Sequence, residues 1–203
     1  MNSPLKSPIT NNKCLATLKR LIPERSITHS FLLYDGNLEV KLADSNKRFV
    51  VAHTNCYVNY EFWSCLLADP ERLSVIAKHF SPIESDNIFD ILQKEWYKFS
   101  DPFVRSAIFY LLNRSSDLSY VSSGKLCEDE KLAYNTGEMS KFNCENLHIQ
   151  LDEQKNVIDS IENISDKCDY VFLPIGKYTF NLLDDGLNEG LEQTKINHRE
   201  IKI

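Results

Sequence analysis

The sequence predicts an α/β protein, and three observations carry that expectation. Short runs rich in β-branched and aromatic residues lie towards both ends of the chain: SFLLYDGN at 30–37, RFVVA at 48–52 and DYVFLP at 169–174. Between the second and third of them lie amphipathic stretches with apolar residues three and four apart. The resulting order, strand–helix–strand at both ends with helices gathered in the middle, suits a largely parallel sheet carrying a helical insertion. An unrelated α+β domain is compatible with the same pattern. The expected division is a core over 1–63 and 141–203, with the insertion over 64–140.

The elements follow in order. KCLATLKRLI (13–22) spaces Leu15, Leu18, Leu21 and Ile22 as a helix, which Pro23 ends. The first strand, from 30 to about 34, runs into a turn at Asp35-Gly36. LEVKLA (38–43) alternates or bends away, and Asp44-Ser45-Asn46 is a turn before the second strand, 48–52. Tyr57 to Leu67 is an aromatic-rich helix, with Tyr57, Tyr60, Phe62 and Trp63 expected in the core. Asp69-Pro70 opens another helix, and Ser85-Asp86 a third. The central helix starts at Asp101-Pro102, carries one apolar stripe (Val104, Ala107, Ile108, Leu111, Leu112) and reaches about Asn113-Arg114. Residues 127–140 look polar and irregular. LHIQL (147–151) alternates as a strand does, 153–165 is a polar helix, 169–174 is the third buried strand, and REIKI closes the chain as a possible last one.

Composition narrows the function classes. A chain of 203 residues is long enough for one domain with a substantial core. Its net charge of −6 argues against unaided, non-specific nucleic-acid binding, which rests on neutralising phosphates. The charge is uneven, however: Lys6, Lys13, Lys19, Arg20 and Arg25 face a single Glu24 in residues 1–28, so a local basic face stays open. No apolar run approaches the roughly 18 residues of a membrane span. The polar start, MNSPLKSPITNNK, lacks the apolar core of a signal peptide, so a cytoplasmic protein of cellular, phage or viral origin is expected. The six cysteines form no C-x-x-C pair and no ligand spacing with the five histidines, so neither a metal site nor a disulfide framework is expected. A P-loop and a nucleophile elbow are both absent from the sequence.

More specific is a series of landmarks. Asn11-Asn12-Lys13 precedes a helix ending at Leu21-Ile22-Pro23-Glu24. LLYDGN (32–37) follows, then VVAHTN (50–55) and YVNYEFWSCLLADPERL (57–73). The central helix ends in Leu111-Leu112-Asn113-Arg114-Ser115-Ser116, and Leu173-Pro174-Ile175-Gly176 stands at the end of the last buried strand. The series resembles, in order, the Dam-type (N6-adenine-specific) DNA methyltransferases. That family opens with Gly-Gly-Lys before a helix ending near Ile-Pro. Pro-Phe-x-Gly-Gly follows its first strand and Asn-Asp-x-Asn its second, and an Asn-Arg helix precedes a Phe-Ser-Gly loop. Its catalytic motif is Asp-Pro-Pro-Tyr. The resemblance implies a Rossmann-like methyltransferase sheet, with the insertion standing where the target-recognition region would be. It places the remnants of an S-adenosylmethionine site at Lys13, Tyr34, Gly36 and His53, and nucleic-acid contacts at Asn113 and Arg114.

Where the chemistry would sit, the residues depart from the family. Gly36 is the single glycine of the first turn, where a cofactor needs close backbone approach. His53 stands where a carboxylate would accept hydrogen bonds from ribose hydroxyls. Leu173 and Gly176 offer neither the acceptor that orients the adenine amine nor the ring on which a flipped base stacks. Tyr178 is a displaced candidate ring, and Asp184 or Asp185 the nearest replacement carboxylates. In the loop, Asp117, Leu118 and Ser119 stand where Phe-Ser-Gly is expected. The resemblance with these departures implies a degenerate, catalytically inactive copy that acts as a binding or assembly partner. Its partner is a protein or a second copy of itself, with DNA as a further option and no cofactor expected. Two readings stay open beside it: a divergent active adenine methyltransferase that uses S-adenosylmethionine, and an unrelated α/β interaction protein.

Overall fold

A computed structural model describes residues 1–6, 12–31, 33, 35–43, 47–117, 121, 124–127, 136–152, 157–164 and 169–172. Helix α1 (Asn12–Leu21) leads into β1 (Ile27–Ser30), followed by α2 (Asn37–Ala43) and β2 (Phe49–Thr54). The helical region comprises α3 (Tyr57–Ala68), α4 (Pro70–His79), α5 (Asp86–Glu95) with a 3₁₀ turn at Trp96–Lys98, α6 (Pro102–Ser115) and the single turn α7 (Thr136–Met139). Strand β3 (Leu147–Leu151), α8 (Val157–Glu162) and β4 (Tyr170–Phe172) complete the described elements. The four strands form one sheet in the order β3-β2-β1-β4, and every pairing is parallel. Among the described residues no helix is long and apolar enough to cross a membrane.

The expected placement of 48–52 beside the first strand, and of 169–174 in the same sheet, agrees with the pairings of β1 with β2 and β4. Residues paired across parallel strands share a face. Val50 and Ala52 of β2 therefore turn, with Leu147 and Ile149 of β3, towards a core that also holds Val40 and Leu42 of α2 and Phe62 and Leu66 of α3.

Two expectations around the first strand need correction. The strand runs over 27–30 rather than from 30 to 34, because the backbone leaves the ladder after Ser30. Phe31 and Leu33 are nonetheless buried, which explains their strand-like composition. The Leu33 N–H donates to the His53 carbonyl (2.9 Å), and the Leu33 carbonyl accepts from Asn59 Nδ2 of α3 (2.8 Å), so a side chain substitutes for a ladder partner. LEVKLA is helical, not extended. The Asp35 carboxylate accepts from the Asn37 N–H (3.1 Å) and starts the turn, while Val40 and Leu42 are buried against the sheet.

The central helix begins as expected. Asp101 Oδ1 accepts from the Phe103 N–H at 2.8 Å, and Pro102 occupies the first turn. Its burial departs from a single stripe, since all residues from Ser106 to Asn113 are buried. The reason is tertiary: α3, α4, α5 and the 3₁₀ turn all pack on α6. Phe109 meets the rings of Phe62 (5.5 Å) and Trp96 (5.9 Å), and Arg105 clamps α6 to α3 by a two-pronged ion pair with Glu61, its Nε lying 2.8 Å from Oε1. Of the aromatic group on α3, Phe62 and Trp63 are in the core, but Tyr57 is exposed. The possible strand in the REIKI tail lies outside the described residues.

Candidate functional site

In an open parallel sheet, the strand order decides where a crevice opens. Here the order runs outward from β1 through β2 to β3 on one side and to β4 on the other, so neighbouring connections part between β1 and β4. Ligands of such sheets bind beyond the carboxyl ends of the strands at that point.

Beyond β1 lies the Asp35-Gly36 turn. Gly36 has a φ of +71°, in the left-handed region where glycine carries no penalty. A Cβ at this position would lie 2.1 Å from Trp63 Cζ2, so the space against its backbone is already filled by the indole of α3. One turn into α2, Glu39 is buried, and its Oε1 accepts from Ser30 Oγ at the end of β1 (2.7 Å). Loss of water around the carboxyl raises its pKa from 4.5 to about 7, against the opposing pull of the Ser30 hydrogen bond.

Across the carboxyl ends of β1, β2 and β3 runs a line of three titratable side chains. His29 Nδ1 lies 2.8 Å from His53 Nε2, and His53 Nδ1 lies 2.8 Å from Asp152 Oδ1. The backbone aligns them. His29 pairs with Val51 and His53 with Gln150, which puts both imidazoles on one face, and the Asp152 N–H donates to the Thr54 carbonyl (2.9 Å) just past β3. Phe31 stacks on His53 with ring centres 4.3 Å apart and 17° between planes. His53 is 1% exposed. Burial holds the pKa of His29 below the ordinary histidine value; His53 lowers it further, while Asp152 opposes both.

The structure distributes the sequence-derived candidates unevenly. Gly36 and His53 stand at the carboxyl edge of the sheet, whereas Lys13 lies in the first turn of α1. Tyr34 and the series Leu173, Pro174, Ile175 and Gly176 lie outside the described residues, as do Leu118, Ser119, Tyr178, Asp184 and Asp185. Asn113 is fully buried, and its Oδ1 accepts from the Lys6 N–H (2.7 Å) while Lys6 Nζ donates to the Ser116 carbonyl (3.0 Å). It fastens the amino-terminal segment to α6. Its neighbour Arg114 is half-buried and lines a cavity of about 310 Å³, together with residues 1–4, Tyr110, Glu138, Met139, Lys141 and Phe142. Among the described residues no group of three or more His, Cys, Asp or Glu side chains is arranged to hold a metal ion.

Sequence reasoning missed His29 and Asp152. A strand starting at Ser30, as the composition predicts, leaves His29 outside it, whereas β1 covers Ile27–Ser30. The usable signal was parity: once β1 starts at Ile27, His29 falls on the same face as Val51 and His53. No protein-family model and no curated protein matches this sequence.

Proposed function

We propose that this chain is a degenerate, catalytically silent relative of the Dam-type adenine methyltransferases that acts as a binding or assembly partner. Support for the relationship comes from the parallel order β3-β2-β1-β4, which matches the first four strands of the 3-2-1-4-5-6 order of a doubly wound nucleotide-binding sheet, together with the ordered landmarks of the sequence. Leu173-Pro174-Ile175-Gly176 follows β4 directly in sequence, as the catalytic motif of the family follows a strand.

The observation that carries the loss of activity is the filled edge of the sheet. A cofactor needs open backbone at the first turn, and here the Trp63 indole occupies the space beside Gly36. It also needs a free acceptor after the second strand, and both ring nitrogens of His53 are already hydrogen-bonded. These residues do not fit S-adenosylmethionine. The chain then works through its surface. Ile88 and Ile91 lie one turn apart on α5 and are exposed, and Tyr97 and Phe99 are exposed further along the chain, apolar side chains of the kind that meet partners. A protein or a second copy of the chain is the partner this reading favours, with DNA reached through Arg114 as a further candidate.

Calorimetric titration with S-adenosylmethionine, paired with a methyl-transfer assay on unmethylated duplex DNA, tests the proposal. The expected result is no binding tighter than millimolar and no turnover above background. Sub-millimolar binding with labelled methyl groups in the DNA would instead establish the divergent active enzyme.

A further inference from the structure

We propose that His29, His53 and Asp152 form a proton-responsive relay, in which one proton entering at His29 Nε2 is stored on His53 against Asp152 and turns His29 from an acceptor into a donor. The inference is independent of any kinship with methyltransferases, since it rests only on the line of side chains across three strands.

The hydrogen-bond chemistry dictates the polarity of the line. A carboxylate only accepts, so the proton between His53 and Asp152 belongs to His53 Nδ1. A neutral imidazole then has a lone pair at Nε2, which must accept, so the proton between the histidines belongs to His29 Nδ1. This leaves His29 Nε2 as a lone pair. It is the ring nitrogen of the pair that has no hydrogen bond among the described residues.

Proton uptake reverses the order. Water delivers a proton to His29 Nε2, the Nδ1 proton of His29 passes to His53 Nε2, and His53 becomes an imidazolium with both N–H groups engaged. One proton is gained and one positive charge appears. It rests beside the Asp152 carboxylate, where a charge-assisted hydrogen bond holds it best. His29 ends neutral in the opposite tautomer, with its Nε2–H now a donor and its Nδ1 accepting from His53.

The surroundings suit such a device. Phe31 covers one face of the His53 ring and keeps water from short-circuiting the transfer. Among the described residues, the charges acting on His29 are those of His53 and Asp152. Other titratable groups near the strands are engaged elsewhere: Glu39 of α2 bonds Ser30 on the opposite face, Asp169 accepts from the Ile27 N–H at the far end of β1, and His148 of β3 is exposed beside Phe49. What changes with pH is therefore the polarity of one ring nitrogen at the carboxyl end of β1. A hydroxyl or amide donor is accepted there in the unprotonated state, and a carboxylate, phosphate or carbonyl oxygen is bound in the protonated one.

Histidine tautomers can be read directly from long-range proton–nitrogen correlation spectra of ring-labelled protein, recorded from about pH 8 to about pH 5 across the ordinary histidine range. Both rings are expected in the Nδ1–H form at high pH. They should change together at one midpoint and with one proton, to a doubly protonated His53 and an Nε2–H form of His29. In Asp152→Asn the amide can donate to His53 Nδ1, so the neutral protein should show both rings as Nε2–H, with no uptake at the wild-type midpoint. Separate midpoints for the two rings, or an Nε2–H form of His29 in the wild type at high pH, would overturn the relay, as would unchanged tautomers in the variant. The wild-type titration decides by itself if the variant does not fold.

Discussion

At the scale of single residues, Gly36 illustrates how a position expected to serve a ligand is claimed by packing. Its backbone is left-handed, and the Trp63 indole lies where a side chain would begin. Gly36→Ala meets both penalties, the conformational one and the overpacking one, and a loss of about 2–4 kcal/mol is expected in urea unfolding. A near-neutral result would mean that the indole moves aside readily and that the space beside Gly36 is available to a ligand after all. His53 teaches the same lesson from the polar side. A histidine at a strand end looks like an open acceptor in the sequence, and its neighbours in space use both of its nitrogens.

At the scale of elements, α6 organises the helical region because every neighbour packs on it, and its carboxyl-terminal end anchors the start of the chain. Asn113 does this by accepting the Lys6 N–H. Asn113→Ala removes that acceptor inside a fully buried site, so a loss of about 1–3 kcal/mol is expected whether or not nucleic acid is present. Chemical denaturation of the free protein checks it. Unchanged stability, with a loss confined to DNA binding, would return Asn113 to the role its sequence position first implied. Arg114, one residue further on, lines the cavity instead and makes no such anchor.

For the whole molecule, two buried groups pull stability in opposite directions with pH. The folded state raises the pKa of Glu39 from 4.5 to about 7, so it holds a proton that the unfolded chain releases in that interval. Stability from this group is complete below about pH 4.5 and is lost as pH rises to about 7, a penalty on the order of 3 kcal/mol. His29 behaves in the reverse sense. Its pKa is lowered on folding, so its contribution is present above the ordinary histidine value and is lost as pH falls below it. Glu39→Gln keeps an acceptor for Ser30 and abolishes the first effect. Its stability relative to wild type should therefore improve steadily between about pH 4.5 and about pH 7 and level off above that, by up to the same order of magnitude. A difference between the two proteins that stays constant across that range would show that Glu39 titrates normally.

Much of the architecture was legible in the sequence because it depends on local chemistry. Helix starts at Asp69-Pro70, Ser85-Asp86 and Asp101-Pro102 follow from caps and prolines that act on their own first turns, and each helix begins where those residues stand. The β-branched centre of RFVVA and the alternation of LHIQL likewise marked β2 and β3. What only the tertiary structure decided depends on partners distant in sequence. Phe31 and Leu33 lie outside the ladder, and the Leu33 backbone is taken up by Asn59 and the His53 carbonyl instead; LEVKLA became a helix because its apolar residues met the core on one side. His29 and Asp152, 123 positions apart in numbering, became one hydrogen-bonded line only when β1, β2 and β3 lay side by side. Residue types and spacings determine which elements form; strand pairing determines which polar atoms meet, and with it what the edge of the sheet is able to bind.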